Sequence, residues 1–142
     1  MQLPFKAWST DYELPIAFAV GALLSLAFAP YGLWLLAIVC PAWLFFAWQG
    51  ATPSRAAAIG FCFQSGTFLA GTYWLYHSVH TIGGAPVWMA LVLMLALVAI
   101  MGTYLALLGY VQARWLPQSG ALRWLVGLPA TWVLVEWWRG WF

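Results

Sequence analysis

Charge is what this sequence has least of. Five Lys or Arg and three Asp or Glu make up 6% of its 142 residues, where a soluble domain carries about 25%. So few charged side chains cannot coat a water-facing surface of this size. Lipid as the solvent removes the need for such a coat. Lysine occurs once, at Lys6, and the net charge is only +2. With no Lys/Arg cluster to track phosphates, a nucleic-acid partner is not expected. Cysteine is also scarce. Cys40 and Cys62 lie inside apolar runs and form no C-x-x-C or Cys/His motif. They read as small buried apolar residues, not as a metal site or disulfide. No glycine-rich phosphate loop appears, and Ser25, Ser65 and Ser78 have no activating partner nearby in sequence. No cofactor is implied.

Apolar and aromatic residues dominate instead. The hydrophobic share is 65%, with 12 Trp and 6 Tyr, and the mean hydropathy is +0.89. Residues 14–53 and 56–113 carry no charge, and each stretch has room for two crossings of about 20 residues. No alternating ten-residue strands appear, which excludes a β-barrel on pattern. The expected fold is all-α, an integral membrane bundle of about five transmembrane helices over residues 14–29, 33–48, 56–76, 86–113 and 124–142. The first span stops at Pro30-Tyr31-Gly32, a turn signal. Pro41 predicts a kink in the second. Ser54 is a candidate cap for the third. Ala27-Phe28-Ala29 resembles a signal-peptide cleavage site, but Asp11 and Glu13 spoil a positive leader and Pro30 follows, so a retained anchor is expected.

Small residues at Ala58, Cys62, Gly66 and Ala70 recur every four positions, and Gly102, Ala106 and Gly109 line one side of the fourth span. Such stripes let helices approach closely. Trp8, Tyr31, Trp34, Trp43, Trp48, Tyr73, Trp74, Trp88, Tyr110, Trp115 and Trp124 flank spans and predict an interfacial belt. Lys6, Arg55, Arg114 and Arg123 fall at the amino terminus and the second and fourth loops; the first and third loops hold no Lys or Arg. That asymmetry predicts a cytoplasmic amino terminus and an outward-facing His77–Ala85 loop.

Ionisable groups within a bilayer suggest function. Glu136 and Arg139, at i and i+3, share a helix face. They are read either as an ion pair that fixes their helix or as a polar site for a lipid headgroup. His77 and His80 lie three apart at a membrane edge. A shared metal would need a third ligand, which the sequence does not offer; a headgroup contact or a solvated loop is the other reading. Tyr73 and Trp74 can line a lipid pocket or simply anchor the belt. The candidate lipid-binding set is Tyr73, Trp74, His77, Glu136 and Arg139, with no catalytic residue and no metal ligand.

Three segments, taken in order, carry a resemblance. Leu26-Ala27-Phe28-Ala29-Pro30-Tyr31 closes the first span. Gly60-Phe61-Cys62-Phe63 leads through Gly66, Phe68 and Gly71 to Trp74-Leu75-Tyr76-His77-Ser78 and Gly83-Gly84. Pro129-Ala130-Thr131-Trp132 leads to Glu136-Trp137-Trp138-Arg139-Gly140-Trp141. Over nearly all its length the chain resembles the N-terminal membrane portion of bacterial apolipoprotein N-acyltransferases. The resemblance implies a multi-pass enzyme of the bacterial inner membrane. Its acyl donor would be a phospholipid, and its acceptor the amino group of a diacylglyceryl-cysteine lipoprotein. It also implies a Glu-Lys-Cys triad in a nitrilase-like α/β domain. No such domain lies in these 142 residues, where the family continues past Arg139-Gly140 with Thr-Gly-Phe-Pro-Trp. The chain is therefore expected to be a fragment that is inactive alone. Gln64, where the family tends to have glycine, and Thr81-Ile82 depart from the pattern. A small transport or scaffold subunit of five spans is the alternative, for which intramembrane polar groups at several span centres would be expected.

Overall fold

The computed structural model describes residues 12–116, 120–121 and 123–141. Among these residues six α-helices follow one another: α1 (Glu13–Leu24), α2 (Leu36–Ala47), α3 (Pro53–Gly71), α4 (Tyr73–His77), α5 (Val87–Trp115) and α6 (Leu128–Arg139). A 3-10 turn, Ser25–Ala27, extends α1, and π turns at Ser78–Ile82 and Arg123–Gly127 precede α5 and α6. No strand occurs among the described residues, so the all-α expectation holds.

The five-crossing expectation is met only in part. α5, at 29 residues, is the one helix among the described residues both long and apolar enough to cross a bilayer. It spans about 44 Å at 1.5 Å per residue, more than the roughly 30 Å hydrocarbon core. Glu13–Ala27 and Leu36–Ala47 are apolar but shorter.

Helix ends differ from the sequence reading for local reasons. α3 begins at Pro53, whose fixed φ suits a first helical position, so Thr52 takes the N-cap place and Ser54 falls inside the first turn. α3 was expected to run on to Tyr76, but it breaks at Thr72. The Thr72 hydroxyl donates to the Phe68 carbonyl at 2.6 Å, a local bond that competes with the helical ladder. Residues 77–85 were expected to be a loop. Instead the chain stays helical into a π turn, closed by the Gly83 N–H on the Ser78 carbonyl at 2.9 Å. The reversal comes only at Gly84, with φ +66°. Pro41 sits within α2. Lys6, Trp8, Asp11, Pro117 and Phe142 lie outside the described residues.

α3 is the central post. It packs against α5 on one side and α1 on the other, while α2 leans on both α1 and α3. The packing depends on missing side chains. A Cβ at Gly66 would lie 2.1 Å from the Phe18 carbonyl oxygen, and one at Gly21 would lie 1.8 Å from that of Phe63. Towards α5, the corresponding contacts are Gly60 on the Leu105 carbonyl at 2.5 Å and Gly109 on that of Ala56 at 2.4 Å. The stripe expected at 58, 62, 66 and 70 is thus split. Gly66 serves α1, but the α5 contact runs through Ala56 and Gly60, one row over. On α5, Gly102 and Gly109 are buried as expected, with Leu105 between them and Ala106 only half-buried.

The outside of this bundle is apolar. Ile38, Val39, Val92, Leu95, Ile100 and Val133 are all more than half exposed. Soluble monomers seldom show continuous apolar surface on this scale. Tyr31, Trp34, Tyr73, Trp74, Trp88, Tyr110 and Trp115 are exposed, as a belt requires. Trp48 is a correction. It is fully buried, and its indole N–H donates to the Ala56 carbonyl at 2.8 Å. That bond ties the end of α2 to the start of α3. Trp43 and Trp124 also pack against the core.

Candidate functional site

The candidate residues fall into two groups. Glu136 and Arg139 form an ion pair on α6, as their spacing predicts. About a third of each side chain stays exposed. The Arg139 guanidinium also lies over the Phe68 ring, 5.9 Å from its centroid. This cation–π contact joins the end of α6 to the end of α3. Tyr73, Trp74 and His77 lie just beyond that end of α3, on the short helix α4. α4 itself packs on α3 and α5. Tyr73 and Trp74 are exposed.

His77 Nδ1 lies 3.1 Å from the Thr81 hydroxyl. His80, which the candidate set left out, is held more firmly. Its Nδ1 is 2.7 Å from the Ala85 carbonyl oxygen, and its ring stacks on Tyr76 at 5.6 Å. The signal in the sequence was the Gly83-Gly84 pair, which turns the chain back so that Ala85 can reach His80. No group of three His, Cys, Asp or Glu side chains arranged for a metal occurs among the described residues.

An open apolar groove of about 370 Å³ lies between α5 and α6, lined by Ile100, Thr103, Tyr104, Leu107 and Trp138. Tyr104 and Trp138 meet edge to face, 5.9 Å apart. Thr103 turns its hydroxyl to the Ala99 carbonyl at 2.8 Å, so the groove offers little polarity.

The opposite end of the bundle carries two polar contacts that sequence reasoning missed. Arg55 Nε donates to Glu13 at 2.7 Å, joining the starts of α1 and α3. Arg123 donates to Gln112 Oε1 at 2.5 Å; both side chains are buried. Desolvation holds the Arg123 guanidinium below the ordinary arginine value. Neither partnership shows in the local sequence, since the partners are 42 and 11 residues apart.

The described residues are all helical, with an apolar exterior and one helix long and apolar enough to cross a bilayer, the features by which helical membrane proteins are recognised. The particular family comes from comparison with known proteins. A profile of the apolipoprotein N-acyltransferase N-terminal domain matches residues 20–142. The apolipoprotein N-acyltransferase of Vibrio parahaemolyticus is 40% identical over 128 residues, covering 89% of this chain and 25% of that protein. The enzyme of the same name from Pseudomonas syringae pv. tomato is 39% identical over the same length and shares. That of Methylococcus capsulatus is 39% identical over 126 residues. This chain belongs to the apolipoprotein N-acyltransferase family. It spans about a quarter of the length of these relatives.

Proposed function

We propose that the chain is the membrane platform of an enzyme that moves an acyl chain from a phospholipid to the N-terminal cysteine amine of a lipoprotein. The observation that carries this reading is the continuous match of residues 20–142 to one domain of that enzyme. The platform sits in the bacterial inner membrane, crosses it about five times and starts in the cytoplasm. Its lipid contacts are Tyr73, Trp74 and His77 on α4 and the Glu136–Arg139 pair on α6. Exposed aromatic rings suit the headgroup level of a bilayer, and a guanidinium suits phosphate. Glu and Arg also leave each other partly exposed, so a headgroup can join the pair without stripping a buried charge. The acyl-carrying thiol lies outside these 142 residues. Cys40 is buried inside α2 and Cys62 sits within α3, and neither has a base beside it in sequence.

The test joins residues 1–142 to the remaining three quarters of the Vibrio parahaemolyticus relative and supplies phospholipid with a labelled acyl chain. The fusion is expected to form a labelled acyl-enzyme and to acylate a diacylglyceryl peptide; residues 1–142 alone are expected to form none. A labelled thioester on the isolated chain, or an inert fusion beside an active parent, overturns the reading.

A further inference from the structure

We propose that His80 receives a primary amine at the outer face, through the Nε2 atom of an imidazole ring that the fold holds in place. The geometry starts at Gly84, whose positive φ of +66° turns the chain after the π turn Ser78–Ile82. That reversal sets the buried Ala85 against His80, with Nδ1 2.7 Å from the carbonyl oxygen. A carbonyl oxygen only accepts, so Nδ1 is the nitrogen that carries hydrogen. In a neutral imidazole Nε2 then holds the lone pair. The stack on Tyr76, at 5.6 Å and 29°, fixes the plane of the ring. Nε2 itself has no hydrogen-bond partner among the described residues. His77 differs: its Nδ1 meets the Thr81 hydroxyl, which can donate or accept, so its tautomer is left open.

An oriented acceptor beside aromatic faces selects its ligand by chemistry. The ligand must donate a hydrogen bond to Nε2 and sit well against a π system. A primary ammonium does both, since its N–H groups donate and its charge is drawn to ring faces. One face of Tyr76 is taken by the imidazole itself; Tyr73, three residues before it on α4 and largely exposed, offers an open ring on the same side of the helix. A phosphate has no N–H to offer the lone pair, and a metal would lack a third protein ligand among the described residues. Two ligands at this surface carry such an amine: an aminoethyl lipid headgroup and the N-terminal α-amine of a lipoprotein. That either ligand reaches His80 rests on the outer-face reading proposed above.

The experiment uses the 142-residue chain in phosphatidylglycerol nanodiscs at about pH 8, where an ordinary imidazole is neutral. The probes are phosphatidylethanolamine, phosphatidylcholine, and a diacylglyceryl-cysteine peptide with its amine free or acetylated. ¹⁵N spectra of labelled histidine read Nε2, and a fluorescent-tailed analogue of each lipid reads affinity. Phosphatidylethanolamine, the free-amine peptide or both are expected to shift Nε2, and which of them does so identifies the source. Phosphatidylcholine, a cation without N–H, and the acetylated peptide are expected to leave it in place. His80→Asn keeps a donor for the Ala85 carbonyl and removes the Nε2 acceptor. It is expected to weaken amine binding by about tenfold or more, whereas Ser54→Ala, at the other end of α3, leaves affinity unchanged. Equal binding of phosphatidylcholine and phosphatidylethanolamine, or wild-type affinity in His80→Asn, overturns the proposal. If His80→Asn fails to fold, the wild-type Nε2 shifts decide by themselves. No turnover is involved, so failure of acyl transfer in the longer protein leaves this result readable.

Discussion

The Trp48 indole illustrates how one donor can hold two helices. The ring is fully buried, and its N–H meets the Ala56 carbonyl at 2.8 Å across the α2–α3 turn. Trp48→Phe removes the donor and leaves that carbonyl without it in a dry site. The expected loss of stability is about 1–3 kcal/mol, read as a lowered midpoint in detergent unfolding; Trp34→Phe, at an exposed ring, should change little. At this scale the sequence was partly legible. Glu136 and Arg139 could be paired on spacing alone, because an i, i+3 relation is local. Trp48 was misread as a belt residue. Its position at the end of an apolar run is the same as that of Trp34 or Trp88, and only the approach of Ala56 separates them. Arg55 with Glu13 and Arg123 with Gln112 were hidden for the same reason: their partners come from other helices.

Helices in this bundle meet backbone to backbone. Gly66 and Gly21 place α1 and α3 so close that a methyl group at either would strike a carbonyl oxygen. Gly66→Ala is expected to cost about 1–3 kcal/mol through forced separation of the two helices. Gly71→Ala is the contrast, since its nearest neighbour would be Ser25 Cβ at 3.7 Å, an ordinary contact. Its effect should lie near zero or be slightly stabilising, by up to about 1 kcal/mol. Unfolding midpoints of the two variants check the pair. The presence of every helix but α4 could be read from apolar runs and breakers, and α5 was placed to within two residues. The break at Thr72 and the π turn after His77 could not. Both depend on which hydroxyl or carbonyl captures a backbone group, and neither changes the hydropathy pattern.

For the molecule as a whole, the membrane reading rests on scarce charge, an apolar exterior and the long helix α5. Family membership rests on residues 20–142 and on relatives of which this chain spans about a quarter. The candidate site was half legible. The aromatic turn and the ion pair could be named, but their separation onto α4 and α6 was visible only once α4 was seen to pack on α3 and α5. The proposal at this scale is directional: the Tyr73–Gly84 end is expected to face outward and the Arg55 and Arg123 end the cytoplasm. Single cysteines at Ser78 and Ser54, in a background with Cys40 and Cys62 replaced by Ala, test it in intact cells with a membrane-impermeant maleimide. Labelling is expected at 78 from outside, and at 54 only after the membrane is opened. Labelling of 54 in intact cells, with 78 protected, would contradict it.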